Sequence, residues 1–227
     1  MISVDTVYQR VLAILNKENR GYMTPQEFNL LANQAQLEVF EQYFYDLSQF
    51  NRAGGVTNEY ADIVKNIKEK INLFKTNVTL NKSGNKFVLP SNMYRLGTVY
   101  YNDLIEVEEI AENELLFMQQ SPLAKPSAGQ PVYTRTGNNI AVYPLTIISL
   151  IKCSLITSPP RISWAYEDVN GSALYNATSS VNFDLHESDE TTIVYKVLSY
   201  AGLIIKQPEV SQIAEQKDTI KVQKEKS

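Results

Sequence analysis

The apolar positions of this chain change their period twice. Val4, Val7, Tyr8, Val11, Leu12 and Leu15 fall at the spacing of one helical face, which predicts a helix from about Ser3 to Leu15. Phe28, Leu31, Ala32, Ala35 and Val39 predict a second helix, and Leu37, Phe40, Tyr43, Phe44 and Leu47 widen its apolar surface toward Phe50. After the polar, Gly-paired stretch "NRAGGVTNEY", Tyr60, Val64, Ile67, Ile71 and Phe74 predict a third, with lysines and glutamates on the opposite side. Residues 1–75 therefore read as a helical segment.

From residue 76 to 185 the runs shorten and turn residues multiply. "NVTLNKSGNKFVLP" predicts two strands around Ser-Gly-Asn, and "MYRLGTVYYND" a strand ending at an Asn-Asp turn. "IEVEEIAENELLFMQQSPL" begins as a strand and becomes a short helix over Glu112 to Gln120, closed by Pro122. "PVYTRTGNNIAVYP" reads as a hairpin turning at Gly137-Asn138-Asn139. "LTIISLIKCSLITSPP" reads as one long apolar strand, and 160–183 as strand ends and irregular chain. This region is expected to form an antiparallel sheet or a small sandwich.

Residues 186–227 return to helical spacing. Ser188 or Asp189 is placed to cap a helix bearing Ile193, Val194, Val197, Leu198, Ala201, Ile204 and Ile205. Gln207-Pro208 breaks it, and Pro208 opens a second helix and a charged tail in which Val210, Ile213, Ala214, Ile220 and Val222 are the apolar groups. Val210, Ile213, Ala214 and Ile220 fall near one face, too narrow to hold a free helix but suited to a partner's groove. Those five residues are the candidate contact with a partner or neighbouring copy. The whole is α+β: helices, then strands, then helices, expected as one integrated domain with a tail.

One stretch invites a chemical reading. With Asn16 at the first position, "NKENRGYMTPQE" places Gly21 and Glu27 where an EF-hand calcium loop has its turn glycine and closing carboxylate. The ligands do not follow. Position 1 is neutral, position 5 is the cation Arg20, and Lys17 and Arg20 offset Glu18 and Glu27. Gly21 is available as a left-handed helix stop, while Thr24, Pro25 and Glu27 make a capping box for the next helix. The stretch is expected to be a linker that binds no calcium.

Composition narrows the remaining chemistry. The chain has 227 residues, 44% hydrophobic and only 20% charged, with net charge −4 and pI about 5.2, so no basic field points to nucleic acid. Fourteen Tyr against one Trp suit half-wet packing surfaces. Cys153 is the sole cysteine and sits in an apolar run, where it reads as a small buried hydrophobe rather than a nucleophile. His186 is the sole histidine and reads as a solvated loop residue rather than a general base. No Gly-rich phosphate loop and no nucleophile elbow occurs. No cofactor or metal is expected. The N-terminus lacks a signal-peptide pattern and the apolar runs are short for a membrane span, so the asparagine glycosylation patterns read as chance in an Asn-rich chain.

Three stretches carry a resemblance. "MTPQEFNLLANQAQLEVFEQYFYDL", "KFVLPSNMYRLGTVYYND" and "FDLHESDETTIVYKVLSYAGLIIKQPEVSQIAEQKDTIKVQKE" resemble the second helix, the strand pair, and the closing helix and tail of head-to-tail connector proteins of short-tailed bacteriophages, above all the crAss-like phages. The resemblance implies a structural virion protein without enzymatic activity: a ring or adaptor, usually in twelve copies, that docks below the portal protein and joins capsid to tail. It implies assembly in the host cytoplasm, contact with the portal and the next connector or tail protein, DNA passing through the ring without sequence-specific binding, and no membrane partner. The alternatives are another tail or hub protein, or a small-molecule-binding domain or enzyme with an unrecognised site.

Overall fold

The computed structural model describes residues 1–17, 23–53, 58–170, 172–204 and 216. Its fold is α+β, with helices toward both ends of the chain and a large, mostly antiparallel sheet between them. Contacts divide the chain into two compact units: 1–73 with 159–227, and 74–158.

The first unit holds helices α1 (Val4–Lys17), α2 (Pro25–Ala53) and α3 (Asn58–Asn72), and, after the second unit, helix α5 (Glu190–Ile204). The apolar spacing read from the sequence is the buried face. Val4, Val7 and Val11 of α1, Phe28, Ala32, Ala35 and Phe40 of α2, and Ile193 and Val197 of α5 are fully enclosed. Burying Phe28 or Phe40 contributes roughly 1.5–3 kcal/mol each. The α2 start is the expected capping box. Glu27 N–H donates to Thr24 Oγ1 at 3.2 Å, while Glu27 Oε2 accepts from Thr24 N–H and from Thr24 Oγ1, both at 2.8 Å. The carboxylate that would close a calcium loop is thus already turned onto its own helix start. Gly21, and with it the left-handed stop, lies outside the described residues. Helix α3 begins at Asn58, so the expected polar loop is shorter than "NRAGGVTNEY".

Residues 160–185 depart furthest from the sequence reading. Strands β9 (Tyr166–Val169) and β10 (Ser172–Tyr175) form an antiparallel hairpin. Asn170, at φ 54°, ends the described part of the chain after β9, and the Asn-Gly pair in the sequence is a strong hairpin signal. The chain before it, 160–164, runs extended along α2 and is held by side-chain amides. Asn29 accepts from Trp164 N–H at 2.7 Å and donates to its carbonyl at 3.1 Å. Asn33 does the same to Ile162, both bonds at 3.0 Å, and Gln36 donates to the Pro160 carbonyl at 2.7 Å. Alternate residues of an extended chain rise by about 6.8 Å and one helical turn by about 5.4 Å, so amides at successive turns keep step with every second strand residue.

The α5 entry also differs. The expected caps were Ser188 or Asp189; instead His186 Nδ1 accepts from Ser188 N–H at 3.2 Å and opens a 3₁₀ turn, Glu187–Asp189, that runs into α5. Asp189 is buried and serves as an anchor: it accepts from Tyr43 Oη at 2.6 Å and Lys70 Nζ at 2.9 Å, tying α2 and α3 to this turn.

The second unit contains β1 (Lys75–Thr79), β2 (Asn81–Ser83), β3 (Lys86–Val88), β4 (Met93–Tyr101), β5 (Ile105–Glu109), helix α4 (Glu112–Gln120), β6 (Val132–Thr136), β7 (Asn139–Tyr143) and β8 (Ile151–Thr157). The strand order is β1-β8-β4-β5-β6-β7-β3-β2. The two outermost strands are neighbours in sequence, separated only by Leu80. One extended run, 75–83, therefore pairs with β8 through its first half and with β3 through its second, which closes the sheet on itself. β1 pairs only with β8 and β2 only with β3, so each half of the run keeps one unpaired edge. A single apolar cluster fills it, with Phe87, Val99, Val107, Tyr133, Ile140, Ile151, Cys153 and Leu155 drawn from β3 to β8. The sheet, not the sandwich, is what forms. It is antiparallel except between β5 and β6, whose connection, Ile110 to Pro131 with α4 inside it, is long enough for a parallel crossover.

"LTIISLIKCSLITSPP" is not one strand. Only Ile151–Thr157 pairs, because Ile147 N–H donates to the Pro144 carbonyl in a turn and Leu150 takes φ 64°, which breaks the extended chain. Among the described residues no helix is long and apolar enough to cross a membrane.

Candidate interaction surfaces

The five tail residues singled out from sequence, Val210, Ile213, Ala214, Ile220 and Val222, lie outside the described residues, as does the Gln207-Pro208 break. The described residues supply two other surfaces, both on the sheet unit.

The first is α4. Its side chains point about 100° apart, so Leu115, Leu116 and Phe117 cannot share one face. Leu115 is buried, while Leu116 and Phe117 are 62% and 73% exposed, and Leu123 just beyond is 99% exposed. The helix start is held by Ala111 N–H donating to Glu114 Oε2 at 3.3 Å. Glu106, Glu108, Glu109, Glu112 and Glu114 lead into and along it, all exposed, with no lysine or arginine between Ile105 and Glu114. Glu109 accepts from Tyr133 Oη at 3.0 Å; burial, then that bond and charge, push the Tyr133 phenol far up.

The second surface lies at the opposite end of β5. The β4–β5 turn carries Leu104, 86% exposed, and is joined to the β7–β8 loop by Asn102 N–H donating to the Leu150 carbonyl at 3.0 Å. Ile148 and Leu145 continue the exposed aliphatic run along that loop. Asn102, Asp103 and Leu150 all have positive φ, 52°, 60° and 64°. That conformation suits Asn and Asp but is costly for leucine, and strain of this kind gathers at functional loops. Lys152 and Asp103 pair here at 2.6 Å and cancel in charge. Five residues of β5 separate the two surfaces by about 17 Å.

The groups considered for catalysis are used elsewhere. His186 caps a 3₁₀ turn, and Cys153 is fully buried in the sheet's core, where burial pushes its thiol up to about 11. Among the described residues no cluster of His, Cys, Asp and Glu is gathered to hold a metal.

Neither surface was singled out from the sequence, although both left a trace. Four consecutive apolar residues, Leu115 to Met118, in a nine-residue helix force at least one outward. The uncharged run from Tyr143 to Ile151 contains Pro144, which cannot donate to a strand ladder and marks part of the run as loop. No protein-family model matches the chain, and no curated protein matches it significantly. The resemblance to phage connector proteins therefore rests on the quoted stretches alone.

Proposed function

We propose that this chain is a structural protein of a bacteriophage particle, a ring or adaptor subunit of the head-to-tail connector. The supporting observation is the pair of exposed apolar surfaces at opposite ends of β5. A subunit of a closed ring meets its neighbours through two different faces, one complementary to the other. Leu116, Phe117 and Leu123 on one side, and Leu104, Ile148 and Leu150 on the other, provide two such faces. In this reading copies of the chain, usually twelve in such rings, stack below the portal protein, meet the next connector or tail protein, and let DNA pass without reading its sequence. The test is the particle itself. Mass spectrometry of purified virions of the encoding phage should find the chain at a copy number near that of the portal, and antibodies to it should decorate the junction of head and tail. Its absence from virions overturns the proposal and favours a binding or enzymatic role in the infected cell.

A further inference from the structure

We infer that the α4 surface of one copy docks on the Leu104–Leu150 surface of a second copy, with lysines of the β2–β3 hairpin facing the glutamates of α4. The inference rests on the ring reading above and names the contact that joins neighbours.

Charge decides which pairing of the two surfaces forms. The α4 surface carries Glu108, Glu109, Glu112 and Glu114 against Lys125 and Arg135. On the helix, Glu112 and Glu114 flank the exposed pair Leu116 and Phe117, because side chains four and three positions apart are neighbours. The other surface borders the β1–β2 run. Leu80 N–H donates to the Ile151 carbonyl at 2.8 Å, and Lys82 Nζ donates to the Ile147 carbonyl at 3.2 Å. Lys86 stands on the same hairpin, opposite Ser83. From Lys75 to Asn102 the chain holds Lys75, Lys82, Lys86 and Arg95 and no acid, and from Gly137 to Ile151 it holds no charge. Lys82, Lys86 and Lys152 are thus set against Asp103 here. Even with Glu106 counted at this surface, two positions beyond Leu104, cations outnumber acids.

Two α4 surfaces together would bring Glu112 and Glu114 against their own copies, and two Leu104–Leu150 surfaces would bring lysine against lysine. Both are like-charge contacts. The mixed pairing lays Leu116, Phe117 and Leu123 on Leu104, Ile148 and Leu150, with opposite charges at the rim. It is heterologous, so a copy docked through α4 still offers its other surface to the next. The two surfaces lie at opposite ends of β5 within one compact unit, so neither contact obstructs the other.

The test uses the full-length chain carrying Gln120→Cys and Ser149→Cys together, treated with a short bis-maleimide. Both positions are exposed, Gln120 one turn from Leu116 and Phe117 and Ser149 between Ile148 and Leu150, while the native Cys153 is buried. The expected result is covalent multimers on a denaturing gel, with the link mapped to positions 120 and 149 of different copies. Either single variant should give at least tenfold less. Adding Phe117→Glu should lower the yield at least tenfold, with the circular dichroism melt unchanged. Adding Glu112→Lys with Glu114→Lys should lower it at least threefold, and Lys86→Glu on top of these should restore at least half of the loss. Equal linking by a single variant, or no multimers from the double one, overturns the inference. If the native mass of the wild type is nevertheless a multiple of the monomer, the ring reading stands while this contact falls. A monomeric mass removes both.

Discussion

At the scale of single residues, Thr24 and Glu27 decide the fate of the stretch that mimics a calcium loop. Their three hydrogen bonds make the α2 start self-sufficient. Thr24→Ala should cost about 1 kcal/mol in denaturant melts, and millimolar calcium should leave the wild-type melt unmoved. A saturable calcium isotherm that Glu27→Gln abolishes would contradict this assignment. Gly97 has a different burden. A Cβ there would lie 2.8 Å from the Ser154 carbonyl oxygen, at the irregular part of the β4–β8 pairing. Because the obstacle is backbone, Gly97→Ala should destabilise the protein by roughly 1–3 kcal/mol; a neutral effect would mean that the two strands separate there without penalty. Glu38 supplies a pH signature. Burial pushes its carboxyl up, but hydrogen bonds from Lys196, at 2.7 Å, and Tyr200, together with the Lys196 charge, outweigh burial and leave it lowered. A lowered carboxyl stabilises the fold above its unfolded value and loses that contribution as pH falls through the folded one. The difference in Tm between wild type and Glu38→Gln should therefore be largest near neutrality and shrink between about pH 5 and pH 3. A difference independent of pH would assign Glu38 a packing role.

At the scale of elements, the amide ladder on α2 is the feature with the sharpest consequence. Asn33→Ala leaves both backbone groups of Ile162 without their partner, at a cost of about 1–3 kcal/mol. Hydrogen exchange should show the loss at Ile162 first, with the sheet unit, 74–158, unaffected; uniform loss across the chain would mean that the ladder is part of the global core. This element also shows where sequence reading works and where it stops. Local signals were sufficient for α1, for the capping box of α2, for α4 at Glu112–Gln120, and for the hairpin of β6 and β7 with Gly137 at φ 61°. Each depends on neighbours within a few positions. The closure of the sheet at Leu80 and the pairing of Asn29, Asn33 and Gln36 with 160–164 depend on residues far apart in sequence, which periodicity cannot connect. Asn29, Asn33 and Gln36 did leave a clue, polar amides at one-turn spacing beside the buried Phe28, Ala32 and Ala35. Of the candidate site, the tail residues were legible as a stripe but lie outside the described chain. The exposed faces of α4 and the β7–β8 loop were concealed by being apolar, since hydrophobic residues are read by default as core.

At the scale of the whole molecule, the proposed ring role makes the chain one copy among many. Two exposed apolar surfaces and 14 tyrosines support association, while His186 and Cys153 are occupied in capping and packing. Native mass spectrometry of the purified full-length chain, over a hundredfold range of concentration, tests this most directly. The account predicts a single closed species whose mass is an integer multiple of 25.7 kDa and is reached without a ladder of ever-larger forms. A 25.7 kDa monomer at every concentration, with or without the portal protein added, would contradict it.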